Sequence, residues 1–215
     1  MISLEVPNNE DSDFFIKTTA EILHRAPKSE VIIDLGAHVG GLAVQAVVDF
    51  GAKFVLAIEA DLRNYDYLLG NIAKNHCEGA IFPVWAAVWD VSFQKLILRA
   101  AGNSGQRSLM FDSAKASGFP VSTIAWSDIL SLVVRKFKTI DLLKVDVEGA
   151  EWKIFNEVQD FQSVKYIDLE MHPMDDLRFY DHLEEGQIVK LTRLLEETGF
   201  ENLAKNERQF YGGRK

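Results

Sequence analysis

Ionisable residues gather in this chain where apolar runs stop. The first such place is Val31-Ile32-Ile33-Asp34-Leu35-Gly36-Ala37-His38-Val39-Gly40-Gly41, where a β-branched run meets an acid and glycines follow at once. A strand, a tight loop and a helix N-terminus are expected there, the arrangement with which α/β proteins hold the polar parts of nucleotides. The spacing Asp-x-Gly-x-x-x-Gly is not the Gly-x-Gly-x-x-Gly of a dinucleotide site. An acid two residues ahead of the first glycine suits a ligand with a cationic amine better than one with a pyrophosphate. S-adenosylmethionine (SAM) is such a ligand, with Asp34, Gly36, Ala37, His38 and Gly40 as candidate contacts. Glu59 closes the next apolar run 23 residues beyond Gly36, near the roughly 20-residue offset at which an acid grips ribose hydroxyls. Its carboxylate can accept two hydrogen bonds from a diol, and Ala60 follows it. Trp85 and Ala86 end the third run, where a flat apolar surface can stack on adenine. Core packing would explain that tryptophan equally well.

The densest chemistry lies in Ile140-Asp141-Leu142-Leu143-Lys144-Val145-Asp146-Val147-Glu148-Gly149-Ala150-Glu151. A central parallel strand is covered on both faces and should be almost wholly apolar. Here Lys144, Asp146 and Glu148 alternate with valines, so three ionisable groups project to one side. Burying them unpaired would cost several kcal/mol each, which places them at the mouth of the sheet, paired with one another or with ligand. For Glu148 and Glu151, helix capping is an equal alternative. The next run, Ile167-Asp168-Leu169-Glu170-Met171-His172, repeats the device. If these two strands are neighbours, Asp146 approaches Glu170 and His172 across a crevice. An imidazole with an ordinary pKa near 6.5 suits removal of a hydroxyl proton. His172 and Asp146 are therefore the candidate catalytic residues, with Asp146 also beside the cofactor. Lys144, Glu148 and Glu170 are candidate substrate contacts. In a variant of this mechanism, Asp146, Glu148 and Glu170 hold a hard divalent ion such as Mg²⁺ that acidifies the hydroxyl. His24, His76 and His182 fall on expected helix or loop surfaces and receive no role.

The elements that must position these groups follow from periodicity. An amphipathic helix is expected over 11–26, ended by Pro27. Strands are expected at Val31–Leu35, Phe54–Glu59 and Ala80–Trp85, with helices after the first two. A further strand or half-hairpin is expected over Val91–Arg99, an edge strand at Val121–Ile124, and a short helix capped by Ser127. Strand four is Ile140–Val147, with a helix from about Gly149, and strand five is Val164–Met171. A last helix over Ile188–Leu195 and a terminal hairpin within Phe200–Tyr211 complete the chain. The alternation argues an α/β fold with a doubly wound, mainly parallel sheet, with a small inserted hairpin or loop region around 91–120. One domain over 1–215 is expected, with a helical N-terminal region over 1–30. The Gly- and Ser-rich 100–120 and the polar 172–186 are candidate substrate loops.

Composition narrows the classes. The 215 residues are 47% hydrophobic and 26% charged, enough for one sizeable core. A formal charge of -9 disfavours a generic nucleic-acid binder, which needs a basic excess. The lone Cys77 excludes an internal disulfide framework. No signal peptide or apolar run of about 20 residues is visible, so the expectation is a cytoplasmic protein without a membrane span.

These residues together resemble the FkbM family of class I SAM-dependent methyltransferases. Ile-Ile-Asp-Leu-Gly-Ala-His-Val-Gly resembles its first motif, with His38 where the family usually has Asn. Glu59 matches its acidic ribose position, although the proline often found next is Ala60 here. Leu143 to Glu151 is the most specific match, and Glu170-x-His172 also fits. The resemblance, over about Val31–Gly199, implies a Rossmann-like seven-stranded sheet with an antiparallel last strand. It also implies O-methylation of a hydroxyl on a sugar, polyketide or other small natural product. Two alternatives are a nicotinamide-dependent oxidoreductase, whose glycine spacing Gly36-Ala37-His38 breaks, and a catalytically silent SAM-fold binding module.

Overall fold

The computed structural model describes residues 2–7, 12–100, 107–109, 118–155, 160–172, 187–201 and 209–214. Its centre is a sheet of six described strands in the order β10-β9-β8-β1-β2-β3. These are β1 (Val31–Leu35), β2 (Phe54–Glu59), β3 (Ile81–Trp85), β8 (Ile140–Val145), β9 (Val164–Glu170) and β10 (Gln209–Gly213). All pairings are parallel except that of β10 with β9. The chain leaves β1 toward β2 on one side, while β8 lies on its other side, so the strand order reverses between β1 and β8. In such sheets the ligand crevice opens at that reversal, beyond the carboxyl ends of the strands.

The two faces are packed by different helices. On one face lie α1 (Ser12–Arg25), α2 (Gly41–Val48) and α3 (Leu62–Lys74), which bury Leu23, Leu42 and Leu68 against Ile32, Val55 and Leu142. On the other lie α4 (Trp126–Phe137), the single turn α5 (Glu151–Ile154) and α6 (Gln187–Glu197), which bury Trp126, Ile129 and Leu195 against Ile33, Leu143 and Ile167. Period-two alternation sends neighbouring strand residues to opposite faces, so a strand buried on both sides reads as a continuous apolar run. Asp61 starts α3 as its N-cap, accepting from the amides of Arg63 (2.7 Å) and Asn64 (3.1 Å), the usual way to satisfy orphan donors at a helix start.

A second sheet, in the order β4-β7-β5-β6 with β6 at Arg107–Ser108, is the largest departure from the expected plan. Where one strand was expected over 91–99, the chain instead makes β4 (Ala87–Trp89), a turn, and β5 (Lys95–Ala100). Residues 121–124 belong to β7 (Gly118–Ala125), which is internal, pairing with β4 on one side and β5 on the other. It reads as an edge because Pro120 suggests one and because its three-residue partner β4 is too short to register as a strand. Helix α4 starts at Trp126 with Ala125 as N-cap, so Ser127 falls in the first turn instead of capping it. Burial of the Trp126 ring, whose Nε1 donates to the Asp160 carbonyl at 3.1 Å, sets that start. The helix expected from Gly149 is one turn long. Among the described residues the central sheet has six strands, and at its edge Phe200 bridges Arg214 antiparallel. The expected substrate loops lie largely at 101–106, 110–117 and 173–186, and His182 with them, outside the described residues.

One buried carboxylate fastens the rim of the sheet remote from the crevice. Asp141 Oδ2 accepts from the amides of Glu30 (3.0 Å) and Val31 (2.9 Å), and Oδ1 pairs with Lys165 Nζ at 2.6 Å. Burial pushes this carboxyl up, but Lys165 and the two amides outweigh it and hold it below the usual carboxylate range. A depressed pKa in the folded state adds stability above the unfolded value of about 3.9 and loses it as pH falls through the folded one. Asp141→Asn is expected to lower stability by about 1.5–3 kcal/mol at pH 7, since charge-assisted hydrogen bonds are lost. Urea unfolding should show this deficit shrinking in acid below pH 4.

Candidate functional site

Side by side across the sheet, one residue per strand, run Pro83, Ala57, Asp34, Lys144, Asp168 and Tyr211. Three of these are charged and lie on the face packed by α1. Lys144 Nζ donates to the Gly36 carbonyl at 2.7 Å and pairs with Asp34 Oδ1 at 3.4 Å and Asp146 Oδ2 at 3.6 Å. Burial alone would lower the pKa of this ammonium, but Asp34 and Asp146 more than offset that and keep it charged. Asp34 is fully buried, and neither of its oxygens receives a well-formed hydrogen bond. Burial raises its pKa despite the neighbouring lysine. Asp168 is likewise pushed up to about 6 by burial, with Arg25 at 3.7 Å opposing.

Above this row opens a cavity of about 500 Å³. The loop after β1 forms one wall. The amides of Gly36 and Ala37 both donate to the Ile58 carbonyl at 2.9 Å, which ties the loop across β2. Gly36, at φ +78°, could not carry a side chain, because a Cβ would stand 1.8 Å from the Asp146 carbonyl oxygen. His38 takes a left-handed φ of 53°, a region that favours Asn and Gly and accounts for the Asn usual at this position of the motif. Burial lowers the pKa of its imidazole to about 4, and the ring lies 5.1 Å from Phe15 of α1.

Glu59 occupies the strand-two end as expected, but its carboxylate is committed to the backbone. Oε2 accepts from the His38 amide and Oε1 from the Asp61 amide, both at 2.8 Å. It braces the loop and keeps one lone pair on each oxygen for a ligand. Burial lifts its pKa to about 7, with those two amides opposing. Ala60 and Ala86 line the cavity together with Ala87, Val88 and Leu98. Trp85 does not line it. Its ring is 41% exposed, and Nε1 donates to the Ala60 carbonyl at 3.0 Å, so it steadies the wall from outside.

Beyond Val145 the backbone leaves the strand, and Glu148 and Gly149 both adopt left-handed angles. Glu148 therefore reaches the site through a turn and not through strand alternation. The expected meeting across β8 and β9 does occur. His172 Nε2 lies 3.5 Å from Glu148, 3.9 Å from Asp146 and 4.0 Å from Glu170. Glu151, for which helix capping is one of two equal readings of the sequence, organises this cluster. Its fully buried carboxylate accepts from the His172 amide (2.7 Å), the His172 ring at Nδ1 (3.1 Å) and the Gly149 amide (2.9 Å). Trp152 Nε1 donates to the His172 carbonyl at 3.2 Å. A carboxylate three residues after another in a glycine turn is its only sequence signal. Burial would lower the His172 pKa, but Glu151 and the other acids raise it to about 9. An imidazolium donates protons, so a role as lone base requires this charge to be relieved first.

The residues present fit SAM. A buried carboxylate without hydrogen bonds, a glycine cradle and an excess of acids face one cavity, as a sulfonium with a cationic amine requires. A family model described as Methyltransferase FkbM domain matches residues 34–201. The chain is similar in structure to methyltransferase FkbM from Methylobacillus flagellatus KT, with TM-score 0.51 and 15% identity over 86% of this chain. It spans 44% of the length of that protein. It is also similar to precorrin-6y C5,15-methyltransferase from Geobacter metallireducens GS-15, with TM-score 0.52 and 12% identity, covering 99% of this chain and 95% of that one. These likenesses show a shared Rossmann-like fold. Curated proteins give no match.

Removing one partner of a buried ion pair strands the other charge, at about 3–5 kcal/mol. Lys144→Met is expected to destabilise the protein by that amount in urea unfolding, with Lys144→Met/Asp34→Asn recovering part of the loss.

Proposed function

The chain belongs to the FkbM methyltransferase family, and we propose that it is a SAM-dependent methyltransferase whose acceptor is a hydroxyl on a small molecule such as a sugar or other natural product. The observation that carries this reading is the position of Asp146. Its backbone closes against Gly36 of the glycine loop, while its carboxylate faces His172. One residue thus joins the cofactor wall to the acid–imidazole cluster.

When bound, SAM supplies a methyl carbon activated by a positive sulfonium. The protein's task is then mainly alignment, which alone can supply several kcal/mol. Asp34 and the Gly36–Gly40 loop hold the amino-acid end, Glu59 faces the ribose, and Ala60 and Ala86 flank the base. Lys144 is a positioning residue. It holds the Gly36 carbonyl, Asp34 and Asp146 together. The acceptor enters on the side of Glu148 and Glu170, and its hydroxyl meets Asp146 and His172 there, with the surrounding carboxylates taking the proton as the new bond forms. The α1 side chains Phe14, Phe15 and Thr18 line the cavity from the helix side.

Calorimetry should detect binding of SAM and of S-adenosylhomocysteine but not of NAD. Glu59→Gln should weaken that binding at least tenfold, because it disturbs both loop amides. Asp146→Asn and His172→Ala should retain cofactor binding while lowering turnover of a hydroxylated-substrate panel by about 10²–10⁴-fold, the usual contribution of proton-handling groups. NAD binding in place of SAM would overturn the reading, and SAM binding with no turnover of any acceptor would favour a silent binding module.

A further inference from the structure

We propose that Asp146, Glu148 and the Nε2 of His172 form a binding site for one divalent transition-metal ion, on the acceptor side of the cavity. The inference rests on the methyltransferase reading only for the ion's use. Among the described residues these three offer donor atoms that all lie within 4.8 Å of one another. The site differs from the all-carboxylate set of Asp146, Glu148 and Glu170 expected from sequence, because the imidazole stands at its centre.

The separations point to a shared ion. His172 Nε2 is 3.5 Å from Glu148 Oε2 and 3.9 Å from Asp146 Oδ1, beyond the 2.7–3.2 Å of an N–H···O bond. The carboxylates converge on the ring nitrogen without closing on it. Donors held about 2.1 Å from a common ion stand about 3.0 Å apart when cis in an octahedron and about 3.4 Å apart in a tetrahedron. The donors lie within 4.8 Å of one another, so side-chain movements of up to about an ångström would bring them onto a tetrahedral ion.

The ring is also held as metal-ligating imidazoles are. A ligating histidine almost always gives its other ring nitrogen to a carboxylate or carbonyl, which sets tautomer and orientation. Here Nδ1 faces Glu151 at 3.1 Å, and the same carboxylate takes the His172 amide at 2.7 Å. Glu151 is fully buried and spends its remaining oxygen on Gly149, so the brace is built into the fold. Four carboxylates surround this one imidazole, an accumulation of negative charge that suits a cation. One imidazole with two carboxylates suits Zn²⁺ or Mn²⁺ better than Mg²⁺ or Ca²⁺, which prefer all-oxygen sets. Glu170, at 4.0 Å from Nε2 and half exposed, lies at the open side where an acceptor oxygen would reach the ion.

The test titrates the full chain with Mn²⁺, followed by the electron paramagnetic resonance of the free ion, and with Zn²⁺ by calorimetry. One ion per chain is expected. Glu148→Gln and His172→Gln should each weaken binding more than tenfold, and Glu151→Gln about 10–100-fold, the usual effect of losing a carboxylate behind a ligating imidazole. Melting curves identify any variant that fails to fold. Glu148 lies off the buried Glu151 brace, so its variant decides if His172→Gln unfolds. Absence of stoichiometric binding for both ions, or binding unchanged in Glu148→Gln, overturns the site. S-adenosylhomocysteine binding is measured on the same samples. If it binds and the metals do not, the ion site falls and the methyltransferase reading stands. The opposite result keeps the site and overturns the reading.

Discussion

A buried ammonium at the centre of the sheet is the constraint on which the rest of the site depends. Lys144 stands on the middle strand of three, between Asp34 and Asp168 in register, with Asp146 following just past the strand end. A charge in such a place is tolerated only when its partners are close and fixed. Every backbone segment that supplies a partner is therefore held as well: the Gly36 carbonyl, the end of β1 and the exit of β8. The glycine loop and Asp146 are tied to each other because both contact one cation.

Around that point the cavity has two chemically distinct sides. The loop side is built from backbone donors and glycine geometry, with Glu59 spending its carboxylate on two loop amides. The opposite side is built from side chains, with Glu151 clamping His172 so that Nε2 faces three carboxylates. The first side resembles what any nucleotide-binding α/β crevice needs. The second is where this chain is particular.

The second sheet and α1 decide the shape of what lies between. β3 leaves the central sheet at Trp85, and after Ala86 the chain enters β4, so Ala87, Val88 and Leu98 become cavity wall. Helix α1 closes over the glycine loop, with Phe15 against His38 and Arg25 reaching Asp168. None of its described residues, nor those of any other helix, makes a helix long and apolar enough to cross a membrane.

By itself the amino-acid pattern determined the alternation of strand and helix, the ends of β1, β2 and β9 to within a residue or so, and the identity of most charged residues facing the crevice. Those features are local. An apolar run bounded by an acid and glycines states its own end, and a charged residue in a buried strand states that it needs a partner. Only the tertiary structure decided which partner. Glu151 carries the same local signal as any acid near a helix start, and its three hydrogen bonds come from a turn and from a strand twenty residues away. The same holds for β4, too short to show periodicity and defined only by its pairing with β7, and for Trp85, whose exposed ring is distinguished from an adenine platform by where Ala60 lies. The charge state of His172 follows from four carboxylates drawn from three segments, and no single segment contains that information. Electrostatics and pairing across the sheet are long-range, and they become legible once the strands are side by side.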